Sequence, residues 1–246
     1  MSVELLPAMP HFVSGDEVAG AIAAAAGMAG IAIGGKDVVV IAQKIVSKAE
    51  GRAVDLAGVD ADPQALELAA LTGRDPALAQ LVLDESQSIM RATPQAIITR
   101  HRTGHVTANS GIDASNVDGG QVLLWPRDPD ASARAIRKAL PGHPAVLIAD
   151  SLGRAWRQGT LGTAIGCAGL VHTDDRRGQA DMFGRTLQAT IVAVADAIAA
   201  FAVLAMGEGA EGTPVAIVRG VERWITREDG AGAAAIMRPI AGDMFP

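Results

Sequence analysis

A single cysteine, Cys167, is the only thiol in the chain, so no internal disulfide can staple the fold. Its neighbours Gly166, Ala168 and Gly169 bring no cation that would favour a thiolate, which marks it as a small packed residue rather than a nucleophile. Basic runs and aromatic-basic stripes are also missing, and the formal net charge is −6. That balance argues against nucleic acid or an anionic membrane as a partner. The N-terminus, MSVELLPAMPHF, has no basic region followed by an apolar stretch, so no secretory leader is expected and a cytoplasmic location is. The longest apolar run, residues 189–206, is interrupted by Asp196 and built largely from alanine, a poor match to a lipid-facing span. It reads as a buried helix.

What the chain does have is 246 residues that are 49% hydrophobic, enough for one large unit, or two intimately connected subdomains, around a real core. Residues 16–28 are alanine-rich, with Ser14 and Asp16 at the start and Gly27 and Gly30 at the end, which predicts a helix. Residues 36–41 predict a strand buried on both faces, because Val38, Val39, Val40 and Ile41 are adjacent and β-branched. Residues 63–71 and 76–83 predict two short helices, each opened by proline. Residues 96–99, 105–109 and 121–125 predict strands of one antiparallel patch. Residues 130–140 predict a helix carrying Ala131, Ala135, Ile136 and Leu140 at helical spacing, with Arg134, Arg137 and Lys138 toward solvent. Two further apolar strands are expected, 145–149 ending on Asp150 and 214–218 ending near Arg219 and Gly220. Side chains at the ends of buried strands are well placed to face a cleft.

Several segments carry candidate chemistry. The string GIAIGGKD, residues 30–37, has the glycines and lysine of a phosphate-binding loop, but Asp37 stands where a hydroxyl should hold magnesium and a strand follows where a helix should. It is set aside. Gln43, Lys44, Ser47, Lys48 and Arg52 follow the first buried strand, and cations with a hydroxyl at a strand exit suit phosphate oxygens; a solvated turn is the alternative. TANSGIDASNVDGG, residues 107–120, gathers Asn109, Ser110, Asp113, Ser115, Asn116 and Asp118, hard oxygen donors among turn formers, in a pattern that is not an EF-hand. Asp150 and Ser151 can each offer an oxygen to a divalent ion, with Arg154 and Arg157 close by for phosphate charge; capping of a following helix is the alternative. In MGEGAEG, residues 206–212, glycines permit close backbone approach and Glu208 adds a carboxylate, although Gly207 also suits a plain C-cap. His101 and His105 sit in strand or turn rather than on one helical face, so they and His11, His143 and His172 read as structural.

Taken in order and spacing, IVSKAEGR, HVTANSGIDASNVDGG, IADSLGRAWRQG, TAIGCAG and PVAIVRG resemble the coenzyme F-420-0:L-glutamate ligase family nearly end to end. The resemblance implies a family-specific α+β fold of mixed, largely antiparallel sheets with flanking helices, forming an intertwined homodimer. It implies one ligase unit over residues 1–246, without the nitroreductase-like domain fused in some relatives. The implied activity is GTP-dependent γ-glutamylation of the deazaflavin side chain, with two magnesium or manganese ions and potassium as an assisting ion. Asp113 and Asp150 would hold one divalent ion, Ser151 and Glu208 the second, and Asp113, Asp150 and Lys48 would carry the catalysis. GTP would be met by Gln43, Lys44, Lys48 and Asn116. Around it would close Met9, Pro10, His11 and Phe12, together with Met206, Gly207, Glu208, Gly209, Ala210, Glu211, Gly212 and Thr213. The chain departs from the family pattern at Gln43, where serine or threonine is common, at Gly162-Thr163 in place of Asp-Val, and at Ala197, where glutamate is frequent. These departures bear on the substrate pocket and the acceptor more than on the metal positions.

Overall fold

The computed structural model describes residues 1–115, 117 and 119–243. In chain order the first half holds β1 (Ser2–Leu5), α1 (Val18–Met28), β2 (Val38–Ala42), α2 (Gln43–Ala49), β3 (Ala53–Asp55), α3 (Pro63–Thr72), α4 (Pro76–Asp84), β4 (Ser86–Ala92), β5 (Ile97–His101) and β6 (Val106–Ala108). It continues with β7 (Gln121–Leu123), α5 (Pro129–Ala139), β8 (Ala145–Arg154), β9 (Arg157–Ala168), β10 (Thr173–Asp175), β11 (Ile191–Ala193), α6 (Val194–Met206) and β12 (Val215–Arg219).

The β-branched run of β2 has no face suited to water, and it lies in the middle of a five-stranded sheet of order β1-β12-β2-β8-β9. β2 and β8 run parallel, with Val38 opposite Ala145 and Ala42 opposite Ala149, while the other neighbours are antiparallel. The two-residue alternation sends Val39, Ile41, Val146 and Ile148 into one core with Leu6, Ile22, Ile45, Trp125 and Ile136 from the α1, α2 and α5 side. It sends Val38, Val40, Leu147 and Ala149 into a second core against Val194, Ile198, Ala202 and Val203 of α6. A smaller layer holds α3, α4, the antiparallel sheet β4-β5-β6 and the pair β3-β7, with cores of their own. Asp62, Asp75 and Asp128 each accept hydrogen bonds from the first turn of α3, α4 and α5, and a proline follows each cap at N1, which is why these helices start where they do. Among the described residues no helix is long and apolar enough to cross a membrane.

The arrangement is thus mixed α+β with mostly antiparallel sheets, and several local expectations need correction. Residues 121–125 do not extend the β5-β6 patch, because β7 pairs with β3. β8 does not stop at Asp150; it runs to Arg154 and turns into β9, so neither Asp150 nor Ser151 caps a helix. Residues 43–49 are helical rather than a solvated turn, since the apolar Ile45 and Val46 are pulled into the core. The run 189–206 divides: β11 pairs with β10 before α6 begins. On α5 the buried face is Ala133, Ile136 and Arg137, not Ala131 and Ala135. Arg137 is 2% exposed, and its guanidinium binds Asp229 and the carbonyls of Pro144, Thr226 and Arg227. Residues 30–37 form no phosphate loop; Asp37 accepts from the Gly34 N–H and pairs with Arg219.

Candidate functional site

β2 ends at Ala42 opposite Ala149, so beyond that point β8 is flanked only by β9, and Asp150 and Ser151 stand along its uncovered edge. A register shift between Ile148 and Ala149 leaves one extra residue, Ile165, on β9 immediately before this stretch. The loop that feeds β12 and the first turn of α2 also arrive here, since the Ala42 N–H donates to the Pro214 carbonyl. The carboxyl ends of parallel strands are where open sheets leave a crevice for ligands.

On the α2 face of the edge, Lys44 Nζ lies 2.7 Å from Asp113 Oδ2 and donates to Ser115 Oγ at 2.8 Å. The Asp113 backbone is pinned to Leu123 by a reciprocal pair of hydrogen bonds at 3.0 and 2.7 Å. Burial works against its charge, but Lys44 and the Ser115 N–H outweigh burial and hold the Asp113 carboxyl below its ordinary value. Asp150 is different. Burial pushes it up to about 6; the Ser151 N–H, the Trp125 indole and Lys44 oppose that push, and the Asp113 charge adds to it. Trp125 Nε1 donates to Asp150 Oδ2 at 2.8 Å. Asp150 therefore lies within electrostatic reach of the Lys44–Asp113 pair, where two carboxyl groups share one lysine. Such a donor set fits a divalent ion: hard oxygens, one or two carboxylates, and room for phosphate oxygens and water. Among the described residues no three His, Cys, Asp or Glu side chains converge as a cation cage.

Ser151, one residue on, points to the opposite face by strand alternation, and its Oγ donates to Glu208 Oε1. Of the four expected metal ligands, Ser151 and Glu208 are in contact, while Asp150 feels the charge of Asp113 from the other side of the strand. Gly207 closes α6 with φ +80°, and the loop after it is tied by Glu211, which accepts from the Gly209 N–H, and by Thr213, whose hydroxyl donates to the Met206 carbonyl. Glu208, Gly209, Ala210, Glu211 and Gly212 are exposed, while Met206 is core.

Gln43 is buried at the α2 start; its Oε1 accepts from Ser47 Oγ at 2.7 Å and its Nε2 has no protein partner. A buried amide donor left open beside Lys44 is a place for an acceptor oxygen. Lys48 lies one turn further along α2. In the segment before α1, Pro10 and His11 are exposed, while Phe12 is buried and Met9 packs against the same core. It is fastened to the end of α2 by the Gly15 N–H donating to Ala49. Asn116 and Asp118 lie outside the described residues.

Other candidates separate from this group. Ser47 and Arg52 are structural: Arg52 Nε donates to the Trp125 carbonyl and its Nη2 to Glu85 Oε1, both at 2.8 Å. Arg154 and Arg157 face each other at the exposed β8-β9 tip, roughly 13 Å of strand beyond Asp150. They do not join the carboxylates. Of the oxygen donors in residues 107–120, Asn109 and Ser110 turn inward, Ser110 bonding Thr99 and Val82. The Cys167 thiol is driven up to about 12 by burial, as its packed setting implies. His101 and His105 share Thr103 Oγ1 at 2.8 and 2.9 Å.

Reading the sequence missed Trp125 and the buried Glu85 group behind it. Arg52, His101 and Arg102 surround Glu85, the Arg102 contact being an ion pair of 3.1 Å out of hydrogen-bond alignment. Nothing in the spacing of these residues announces the contact, because they come from four separate segments.

The family described as F420-0:Gamma-glutamyl ligase matches residues 8–220. Over 241 residues the chain is 43% identical to the coenzyme F420:L-glutamate ligase of Methanothermobacter thermautotrophicus, covering 96% of this chain and 95% of that one. It is 44% identical over 214 residues to the enzyme of the same name from Methanopyrus kandleri, covering 85% of each. A third relative with that name, from Methanocaldococcus jannaschii, is 41% identical over 213 residues, covering 85% of this chain and 84% of its own length. With a match this long and this even, the chain belongs to the F420-0:gamma-glutamyl ligase family.

Proposed function

We propose that the chain joins L-glutamate to the deazaflavin coenzyme F420-0 in a GTP-driven reaction, as one unit spanning its 246 residues. The names of its relatives supply the substrates, and the observation that carries the reading is the meeting of Lys44, Asp113 and Asp150 at the strand edge. A carboxylate is a poor electrophile, because its leaving group would be an oxide. The coenzyme carboxylate oxygen therefore attacks the γ-phosphorus of GTP, GDP leaves, and an acyl phosphate forms. The glutamate amine then attacks the acyl carbon, the amide bond forms, and inorganic phosphate departs with the C–O electron pair.

Phosphoryl transfer needs positioning and charge neutralisation more than covalent help. Lys44 and Lys48 supply fixed positive charge, and Gln43 Nε2 offers its open N–H to a phosphate oxygen. Asn116 and the segments Met9 to Phe12 and Met206 to Thr213 complete the nucleotide contacts. Asp113 with Asp150, and Ser151 with Glu208, would each hold a divalent ion, magnesium or manganese, with potassium as an assisting ion. Such ions would supply Lewis-acid stabilisation of the charge that builds on the transferring phosphoryl group. The same reading includes a homodimer.

The test is incubation with GTP, Mg2+, L-glutamate and F420-0, followed by mass spectrometry of the coenzyme. Gain of glutamyl mass on the coenzyme with one GDP per amide bond is expected. GTP hydrolysis that proceeds equally without glutamate and coenzyme would identify a phosphohydrolase, and GTP turnover only with a different phosphorylated acceptor would reassign the substrate.

A further inference from the structure

Trp125 is fully buried and fixed on every side. Its carbonyl accepts from Arg52 Nε at 2.8 Å, the His101 ring lies against it with centroids 4.8 Å apart, and the His105 ring meets it edge-on at 5.4 Å. Its last free side rests on Gly111, where φ is +69° and an added Cβ would stand 2.4 to 2.8 Å from Cε2, Nε1 and Cζ2 of the indole. Only glycine leaves room for the ring there. Gly111 is two residues before Asp113, and the indole N–H is bonded to Asp150, so one side chain touches the loop bearing the first carboxylate and the oxygen of the second.

We propose that Trp125 is a positioning residue for the divalent-ion site: its indole N–H fixes the Asp150 carboxyl through Oδ2, and its ring against Gly111 sets where the Asp113 loop lies relative to it. The inference rests on the metal reading above. A polar partner that orients a ligand side chain typically changes metal affinity about 10- to 100-fold when removed. An indole suits this place because it fills the core between the two histidines and still delivers one N–H at a fixed point, with no second polar atom to satisfy.

Trp125→Phe keeps the aromatic packing and removes the donor. In the 1H-15N spectrum of the wild type, the three tryptophans give three indole signals, and the variant identifies the Trp125 signal by its loss. Addition of Mg2+ with GTP should shift that signal. In the variant the Mg2+ concentration for half-maximal activity should rise about tenfold or more, with the KM for glutamate unchanged and the melting temperature within a few degrees. Gly111→Ala, which displaces the ring but retains its N–H, should weaken Mg2+ in the same direction. An unmoved Trp125 signal at saturating Mg2+, with other resonances moving, would overturn the role of Trp125 and leave the metal reading intact. No Mg2+ response anywhere in the wild type would overturn both. Equal Mg2+ dependence in Trp125→Phe and wild type would show the residue to be only core.

Discussion

Lys44 and Ser115 are 71 residues apart in sequence, yet Lys44 Nζ donates to Ser115 Oγ at 2.8 Å and rests 2.7 Å from Asp113 Oδ2. The first turn of a helix is thereby latched to the loop that bears Asp113, which also pairs with β7. The Lys44 and Asp113 side chains are a little over one quarter exposed, so the latch is neither a surface ornament nor a buried pair.

Lys44→Met should cost less than about 1 kcal/mol of stability, the usual scale for pairs open to solvent. Turnover should fall roughly 10- to 100-fold, the effect of removing a hydrogen bond to a charged group from a site where charge is being transferred. Thermal melts beside steady-state assays at saturating Mg2+ separate the two effects. Lys44→Arg should restore the stability but not the rate, because a planar fork cannot stand in for the compact ammonium at both Asp113 and Ser115.

Asp150→Asn should abolish turnover and stabilise the metal-free protein near neutral pH. A carboxyl at about 6 when folded, against its ordinary value of 3.8, makes the folded chain bind more protons between those two values. Its contribution to stability is therefore lost as pH rises through that window and stays lost above it. The asparagine oxygen still accepts from Trp125 without carrying charge. A gain on the order of 2 kcal/mol is expected at pH 7.5, shrinking toward zero at pH 4, in urea titrations run across that range. Added Mg2+ should raise the wild-type melting temperature and leave the variant where it was.

Glu85→Gln should destabilise the chain by about 3 kcal/mol at pH 7, because Arg52, 7% exposed, would keep its charge and lose its carboxylate. The sign with pH is opposite to that of Asp150. Burial disfavours the Glu85 charge, but the His101 ring nitrogen 3.5 Å away, the Arg52 hydrogen bond and the charges of Arg52 and Arg102 prevail and hold the carboxyl at about 2. Its stabilisation is complete above 4.5 and fades as pH falls toward 2. Denaturation curves at pH 7, 4.5 and 3 should show a slope in the wild type that the variant lacks.

Much of this molecule was readable from residue order alone, for local reasons. The run Val38 to Ile41 allowed no solvent-facing side, prolines after Asp62 and Asp75 fixed two helix starts, and the packed setting of Cys167 followed from its small neighbours. The family, too, was legible, because five motifs stand in register along one chain. Tertiary structure alone decided which strand each segment joins, so that residues 121–123 chose β3, and how far β8 runs past the end of β2. It turned Arg137 and Arg52 inward, against the polar character that predicts solvent, because each found a partner brought by another segment. It also placed Trp125 between Gly111 and Asp150, a contact that joins three segments with no shared period. Hydrophobic spacing and caps act over a few residues and can be read in a line; the neighbours of a buried polar group are set by chain crossings, and those exist only once the chain has folded.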